Sequence, residues 1–350
     1  MNIPERTLLR RLFMPYDITS MAPATKVLVY TLLVLWLLVV LFPLYWLFIT
    51  SFKLPVQVND GPDFIPFIDF EPSLHAWHYI FFELGNDTFR PYLNSVIVAF
   101  CATVVCVLIG SFAAYALVRI QYRVKVGNVL AFLVLLGLTV FTVTSLGAPL
   151  FATAPVAIVL FVFFVAAVGR YFRRALGNDD ILFWIISNRI LPPVVVVLPV
   201  YLMFQRLGLL DTHIALIATY TAINLPIVVW LMRDFFAGIP LDLEESAQID
   251  GASRLRIFFT IVLPLARPGL AATALLILIL AWNEYLLALF ISTADAQTMP
   301  LLVAAQNATR GPQWWYMSVL IVIMIAPIVF TAAILQRHIA RGLLVGAIKG

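Results

Sequence analysis

The residues able to do chemistry concentrate in one polar stretch. Positions 240–268 read PLDLEESAQIDGASRLRIFFTIVLPLARP. Asp242, with Glu245 three residues on, has the spacing of a capping box. Leu243 and Ala247 share one helical face, and Gly251 can end the helix in the left-handed conformation. Ser253 can cap a second helix in which Leu255, Phe258, Phe259 and Val262 are expected to be buried, with Pro264 near its end. A helix, an elbow and a second helix, joined to apolar segments on both sides, suit recognition. Such an element gives either a rigid surface for another protein or an amphipathic hairpin on lipid.

A second group lies inside apolar sequence. Trp282, Asn283 and Glu284 interrupt one such run, and a charged acid at a bilayer centre costs about 2.5–3.5 kcal/mol. They are therefore expected to face a translocation pathway, a partner helix or the outer surface. Asn188, Arg189 and Asn224 are weaker candidates of the same kind. His75 and His78 stand three apart, but no third ligand is evident, so no metal is expected. Cys101 and Cys106, five apart on a helix, are not expected to pair. No G-x-x-x-x-G-K-[ST] run occurs, so nucleotide hydrolysis is not expected of this chain. No cluster of acids or histidines suggests a membrane enzyme.

The elements that must position these residues are membrane spans. The chain has 350 residues, 63% hydrophobic and 11% charged, with mean hydropathy +1.02. Soluble domains carry about 25% charged residues. Apolar runs at about 27–50, 93–118, 127–147, 151–170, 181–203, 214–233, 268–291 and 315–336 each approach the length that crosses a bilayer. The first is too long for a secretory signal, so an uncleaved first span is expected. Pro192, Pro193 and Pro199 should kink the fifth. Lys and Arg cluster in alternate connections: Arg6, Arg10, Arg11 and Lys26; 119–126; 170–174; 233–267; and the tail from Arg337. The positive-inside rule then places both termini in the cytoplasm. The net charge of +4 follows from these span-end residues, and no nucleic-acid surface is expected. The fold class is all-α, a polytopic helical bundle of about eight spans. Its parts are a cytoplasmic N-terminus at 1–26 and a transmembrane domain at 27–350. The latter includes a periplasmic segment at 52–92, a helical pair at 127–174, the polar element at 240–268 and a cytoplasmic tail at 337–350.

Glu245-Ser246-Ala247, Gly251 and Ile261-x-Leu263-Pro264 resemble the EAA loop of binding-protein-dependent ABC importer permeases. The spacing fits at every position, and Ser246 is the one letter that departs. Asn94–Ala99, Arg206–Thr212, Ala281–Tyr285 and the tail Arg341–Gly350 are similar to the carbohydrate-importing, maltose-type branch. The resemblance covers about 26–119 and 185–350. Typical members have six spans, so the pair at 127–174 looks like an insertion. The resemblance implies a bacterial inner-membrane pore subunit paired with a second permease. It also implies two copies of a cytoplasmic ATPase that bind the ATP and Mg, and a periplasmic or lipid-anchored binding protein that delivers a sugar, oligosaccharide or polyol. It gives Glu245 polar contacts with the ATPase, Ala247 close approach, Gly251 the elbow, and Leu263 and Pro264 the anchor to the seventh span. It also implies contact of the tail with the ATPase and of 292–314 with the binding protein. A secondary transporter or channel would instead need internal repeats or several coupling-ion residues in the spans, and none is evident.

Overall fold

The structure is a computed structural model that describes residues 21–172, 174–307 and 311–347. Arg6, Arg10, Arg11, Arg173, Arg310 and the last residues of the tail lie outside the described residues, as do the side chains after Gln336. The described chain is almost wholly helical, with one two-stranded ribbon. It divides into two compact units, Met1–Arg90 with Leu302–Pro327, and Pro91–Leu301 with Ile328–Gly350.

In the first unit, α1 (Pro23–Thr50) is a long apolar helix whose lining toward lipid is expected from its almost uniform exposure. A short α2 (Pro55–Asp60) follows. Then α3 (His75–His78) runs on through a π-type turn, Tyr79–Glu83. Lys53 is buried, donates to the Asp63 carbonyl at 2.5 Å, and has its ammonium over the Trp46 and Phe70 rings. Burial pushes its pKa down. His75 Nε2 lies 3.3 Å from the Tyr316 hydroxyl, and His78 Nδ1 lies 3.8 Å from Glu83.

The second unit carries the rest. α4 (Asn86–Arg119) enters it from Pro91. β1 (Val124–Lys125) pairs antiparallel with β2 (Ala175–Leu176) across α5 (Val126–Ser145) and α6 (Leu150–Ala167). α5 and α6 pack on each other, with Phe132 edge-on to Phe161. α7 (Asn178–Ser187) ends in a 3-10 turn at Asn188–Ile190 before α8 (Pro193–Leu207). α9 (His213–Ala237) leads to α10 (Leu241–Ile249). α11 (Arg254–Ile257) continues through a π-type turn, Phe258–Val262, to Leu265. α12 (Arg267–Trp282) and α13 (Leu286–Ile291) belong to this unit, while α14 (Met299–Ala305) and α15 (Trp314–Ala347) are each divided, their parts within Leu302–Pro327 belonging to the first unit.

Two expected spans are not single helices. The run at 181–203 bends by 90° between α7 and α8. Leu191 and Pro192 are extended, with ψ of 126° and 130°, because each precedes a proline whose ring excludes helical geometry there. The run at 268–291 stops at Trp282 and resumes at Leu286. Among the described residues five helices are long and apolar enough to cross a membrane, or seven if the bent pairs Asn178–Ile190 with Pro193–Leu207 and Arg254–Leu265 with Arg267–Trp282 each cross as one. Phe151–Ala167 is a shorter apolar helix. The kink expected from Pro192 and Pro193 in the fifth run is therefore present as the break between α7 and α8, whereas hydropathy alone does not reveal the stop at Trp282.

Candidate functional site

The core of the second unit sits where the polar element meets the long helices. Cys106, Ala114 and Leu117 of α4 pack with Val228, Val229, Met232 and Phe236 of α9, Ile257 and Phe258 of α11, and Ile277 of α12. Phe258 is held in an aromatic cluster. It stacks on Phe112 at 4.7 Å between centroids and lies 5.1 Å from Tyr115 and 6.0 Å from Phe236. Gly269 lets α12 approach α9, since a methyl there would collide with the Phe235 ring. Small residues serve this role wherever helices cross closely in a membrane.

Within the polar element, α10 starts at Leu241, straight after Pro240. Asp242 is therefore inside the first turn and makes no cap, against the capping-box expectation. Proline at 240 already sets the entry dihedrals (φ −56°, ψ 132°). The far end behaves as expected. Gly251 has φ +82°, its N–H donates to Gln248 O at 3.0 Å, and Ala252 N–H donates to Ala247 O at 2.9 Å. That pair of bonds is a Schellman closure, which needs the left-handed residue. Ser253 caps α11 by accepting from Arg256 N–H. Leu255 and Phe259 are exposed rather than buried, and Ile257 takes the core position instead. Phe259 falls in the π-type turn that starts at Phe258, where the helical period changes and a face assigned at 3.6 residues per turn slips. α11 then meets α12 at an 80° bend.

The motif residues divide between two surfaces. Glu245 and Ser246 are exposed, as are Leu241, Leu243 and Ile249, the last at 87%. Ala247, Ile261 and Leu263 pack against the core, and Pro264 is half-buried beside them. Leu243 and Ala247 are four apart on α10 and share a face as expected, but only Ala247 packs on the core; Leu243 is exposed, and the inward position beside it belongs to Glu244.

Glu244 was not singled out from the sequence, and it is the most constrained acid of the element. It is 1% exposed. Arg119 Nε donates to its Oε1 at 2.7 Å, and the Tyr115 hydroxyl donates to its Oε2 at 2.6 Å. Arg119 Nη2 also donates to Ile239 O at 2.9 Å and to Phe236 O at 3.3 Å. One guanidinium thus joins the end of α4, the last carbonyls after α9 and the first turn of α10. The available signal was the lone Arg119 at the end of an apolar run, one turn after Tyr115.

The opposite end of α9 carries a different cluster. Asp211, in the connection before α9 and with φ +59°, accepts backbone N–H bonds from Thr293, Ala294, Asp295 and Ala296 at 2.8–3.0 Å. The Thr293 hydroxyl donates to it as well, and Asp211 N–H donates to Ile291 O. Partial burial acts to raise its pKa. The four backbone donors outweigh this and hold the carboxyl well below the usual carboxylate range. Asn94 donates to Asp295 O and Gln297 O, while its own carbonyl oxygen lies 2.7 Å from His213 Nε2. An amide already donating twice leaves its oxygen as acceptor, so His213 carries its proton on Nε2.

The intramembrane polar residues converge only in part. Asn188, Arg189 and Glu284 line one cavity of about 310 Å³ beside the α7–α8 break, together with Pro193, Pro226 and Leu287. Arg189 donates to Ile223 O at 3.0 Å. Glu284 Oε1 accepts from Leu287 N–H at 3.0 Å, which caps the start of α13. Asn224 is buried in α9 and donates to Tyr220 O, while its oxygen has no partner among the described residues. Asn283 is exposed and folds back onto Ile279 O. Trp282 is buried, edge-on to Tyr92, with its indole N–H unpartnered among the described residues.

The family model described as "Binding-protein-dependent transport system inner membrane component" matches residues 106–345. The chain is 31% identical to the trehalose/maltose transport system permease protein MalG of Thermococcus litoralis, over 91% of this chain and 94% of that one. It is 30% identical to a probable ABC transporter permease protein, y4oR, of Sinorhizobium fredii, over 89% and 91%. It is 26% identical to the diacetylchitobiose uptake system permease protein NgcG of Streptomyces coelicolor, over 91% and 88%. Among solved structures it shares its fold with a bacterial ABC transporter involved in the import of the acidic polysaccharide alginate. The TM-score is 0.58 at 21% identity, over 93% of this chain and 99% of that one.

Proposed function

Because the chain belongs to the family of binding-protein-dependent transport system inner-membrane components, we propose that it forms half of a carbohydrate pore driven through α10 and α11. It is a multi-pass permease subunit of an ABC importer, a transport protein. The relatives named for trehalose and maltose and for diacetylchitobiose favour a sugar or oligosaccharide as its cargo. The partners in this reading are a second permease, two copies of a cytoplasmic ATPase that bind ATP and Mg, and an external binding protein.

The observation that carries the coupling reading is the split within α10. Its inward side is fixed by Glu244 and Ala247, while Glu245, Ser246 and Ile249 stand exposed on a helix only 9 residues long. An apolar residue at 87% exposure beside an acid fits a cleft on another protein, in which Ile249 would be desolvated and Glu245 would meet a cation. Gly251 fixes the angle at which α11 leaves. ATP-driven closure of the ATPase pair would carry α10 with it and switch the pore between inward- and outward-facing forms. The cavity with Asn188, Arg189 and Glu284 is the candidate stretch of pathway on this subunit, and Asn224, Asn283 and Trp282 are further candidates that do not line it. The pair α5–α6 is a peripheral addition to the pore helices.

The test is co-purification and uptake. Tagged protein co-expressed with its ATPase, second permease and binding protein should bring down the ATPase and support ATP-dependent disaccharide uptake in proteoliposomes. Glu245→Arg with Ile249→Asp should abolish both. Unchanged uptake in that double variant would remove α10 from the coupling role.

A further inference from the structure

A helix pushed from outside moves a membrane span only if something stiff joins the two. On one side α10 is joined to α12 through Gly251 and α11. On the other side the join is made by side chains. We propose that Arg119 and Glu244 are positioning residues for energy coupling, a strut that binds α10 to α4 and α9 so that all three move as one body. This rests on the coupling reading above and adds the residues that carry the motion inward.

Three features of the geometry support it. First, the guanidinium is planar and presents five donors in a fixed fork. Its bonds to Glu244 Oε1, Ile239 O and Phe236 O come from two segments besides its own helix, so the plane of the fork fixes their relative positions. Second, Tyr115 and Arg119 are four residues apart on α4, hence on one face, and hold the two oxygens of the same carboxylate. Glu244 cannot swing without losing one of them. Third, Glu244 is almost fully buried and the Arg119 side chain is only 16% exposed. Two apolar side chains of the same size would stabilise such a site as well as or better than an ion pair. The pair gives directional holding instead. The neighbouring acids therefore divide the work: Glu245 faces outward, and Glu244 ties the helix to the spans. Arg119 also donates to Phe236 O in the last turn of α9 and to Ile239 O just beyond it, where a cation is favoured.

The experiment uses the full importer, both permeases with the ATPase and binding protein, in lipid nanodiscs and proteoliposomes. Glu244→Gln keeps the shape and removes the charge. Arg119→Lys keeps the charge and removes the fork. Co-purification, ATP hydrolysis with and without loaded binding protein, uptake, and the distance between spin labels at Asp242→Cys and Trp230→Cys are measured. Both variants should assemble with the ATPase as the unsubstituted chain does. Sugar moved per ATP hydrolysed should fall about tenfold, the effect of losing roughly one decade of coupling. The label distance should broaden when ATP is added. Tyr115→Phe, which keeps the ring on Phe258, should show a milder loss. An unchanged transport-to-hydrolysis ratio in both variants overturns the strut. So does a loss of uptake matched by an equal loss of assembly, because the pair would then serve folding alone. Failure of the coupling reading looks different: the unsubstituted chain would bring down no ATPase, and both proposals would fall.

Discussion

α9 is held at each end by a carboxylate, and the two are held in different ways. Its 25 residues, at about 1.5 Å rise each, separate Asp211 from the Glu244 cluster by about 37 Å. Asp211 is gripped by four consecutive backbone N–H groups and one hydroxyl of a single loop. Glu244 is gripped by two long side chains from another helix, and its main partner also holds backbone carbonyls elsewhere. Backbone donors in a ring have one geometry, so the Asp211 end is a fixed clasp that shapes a loop. Side-chain donors reach from one helix to another, so the Glu244 end is a join between rigid helices rather than within one loop. The difference fits the coupling role proposed for the Glu244 end, which would have to accept motion while the Asp211 end keeps its loop in one shape.

The sharpest way to break this comparison is Arg119→Ala. It leaves a buried carboxylate without its cation and removes the Arg119 bond from the Ile239 and Phe236 carbonyls, of which Phe236 O keeps the Ile239 N–H. Removing one partner of a buried ion pair costs about 3–5 kcal/mol. Thermal unfolding of the purified chain in detergent should show a correspondingly large drop. A change below about 1 kcal/mol, the level of an exposed surface pair, would mean that Glu244 has found water or another partner.

Asp211→Ala should cost less, about 1–3 kcal/mol, since it orphans several donors but in a half-exposed loop that water can reach. The same end carries a pH signature. A carboxyl whose native pKa is lowered contributes stability that is fully present above its unfolded value of about 3.9, and that is lost as pH falls through the window below it. Acid unfolding of the unsubstituted chain should steepen below about pH 4 for this reason, and Asp211→Asn should lack that component. Identical acid limbs in the two proteins would show that the clasp does not depend on ionisation.

The two ends were unequally legible in the sequence. Asn94 and Asp211 both fall within stretches that resemble the maltose-type branch, yet nothing local says that they meet through the 293–297 loop, about 80 to 200 positions away. The elbow at Gly251 was readable because a left-handed turn is a one-residue, local requirement. The Ser253 cap was readable for the same reason. Glu244 was not, because adjacent acids look alike until the opposite helix supplies an arginine to one of them. Apolar runs marked the membrane segments, but composition is blind to a bend. The break at Leu191–Pro192 needed the dihedral consequence of two successive prolines. The stop at Trp282 follows no proline at all; there Glu284 caps a new helix start instead.

Gly251→Ala tests the elbow that joins α10 to α11. At φ +82° an L side chain is strained by about 1 kcal/mol, although open space surrounds the position. Stability should therefore fall modestly, and uptake should fall more than stability does if the angle of α11 carries the coupling. Equal losses would reduce the glycine to a helix stop.

The smallest effect is expected at Asp242. A true capping aspartate costs about 1 kcal/mol when replaced by alanine. Asp242 makes no cap bond, because Pro240 precedes the first turn and α10 starts at Leu241. Its carboxylate then contributes only the favourable charge of an acid near a helix N-terminus, about 0.3–0.5 kcal/mol and screened by salt. Asp242→Ala should show that small loss at low ionic strength and almost none at high salt, by thermal unfolding in both buffers. A loss near 1 kcal/mol that persists in salt would restore Asp242 as the cap.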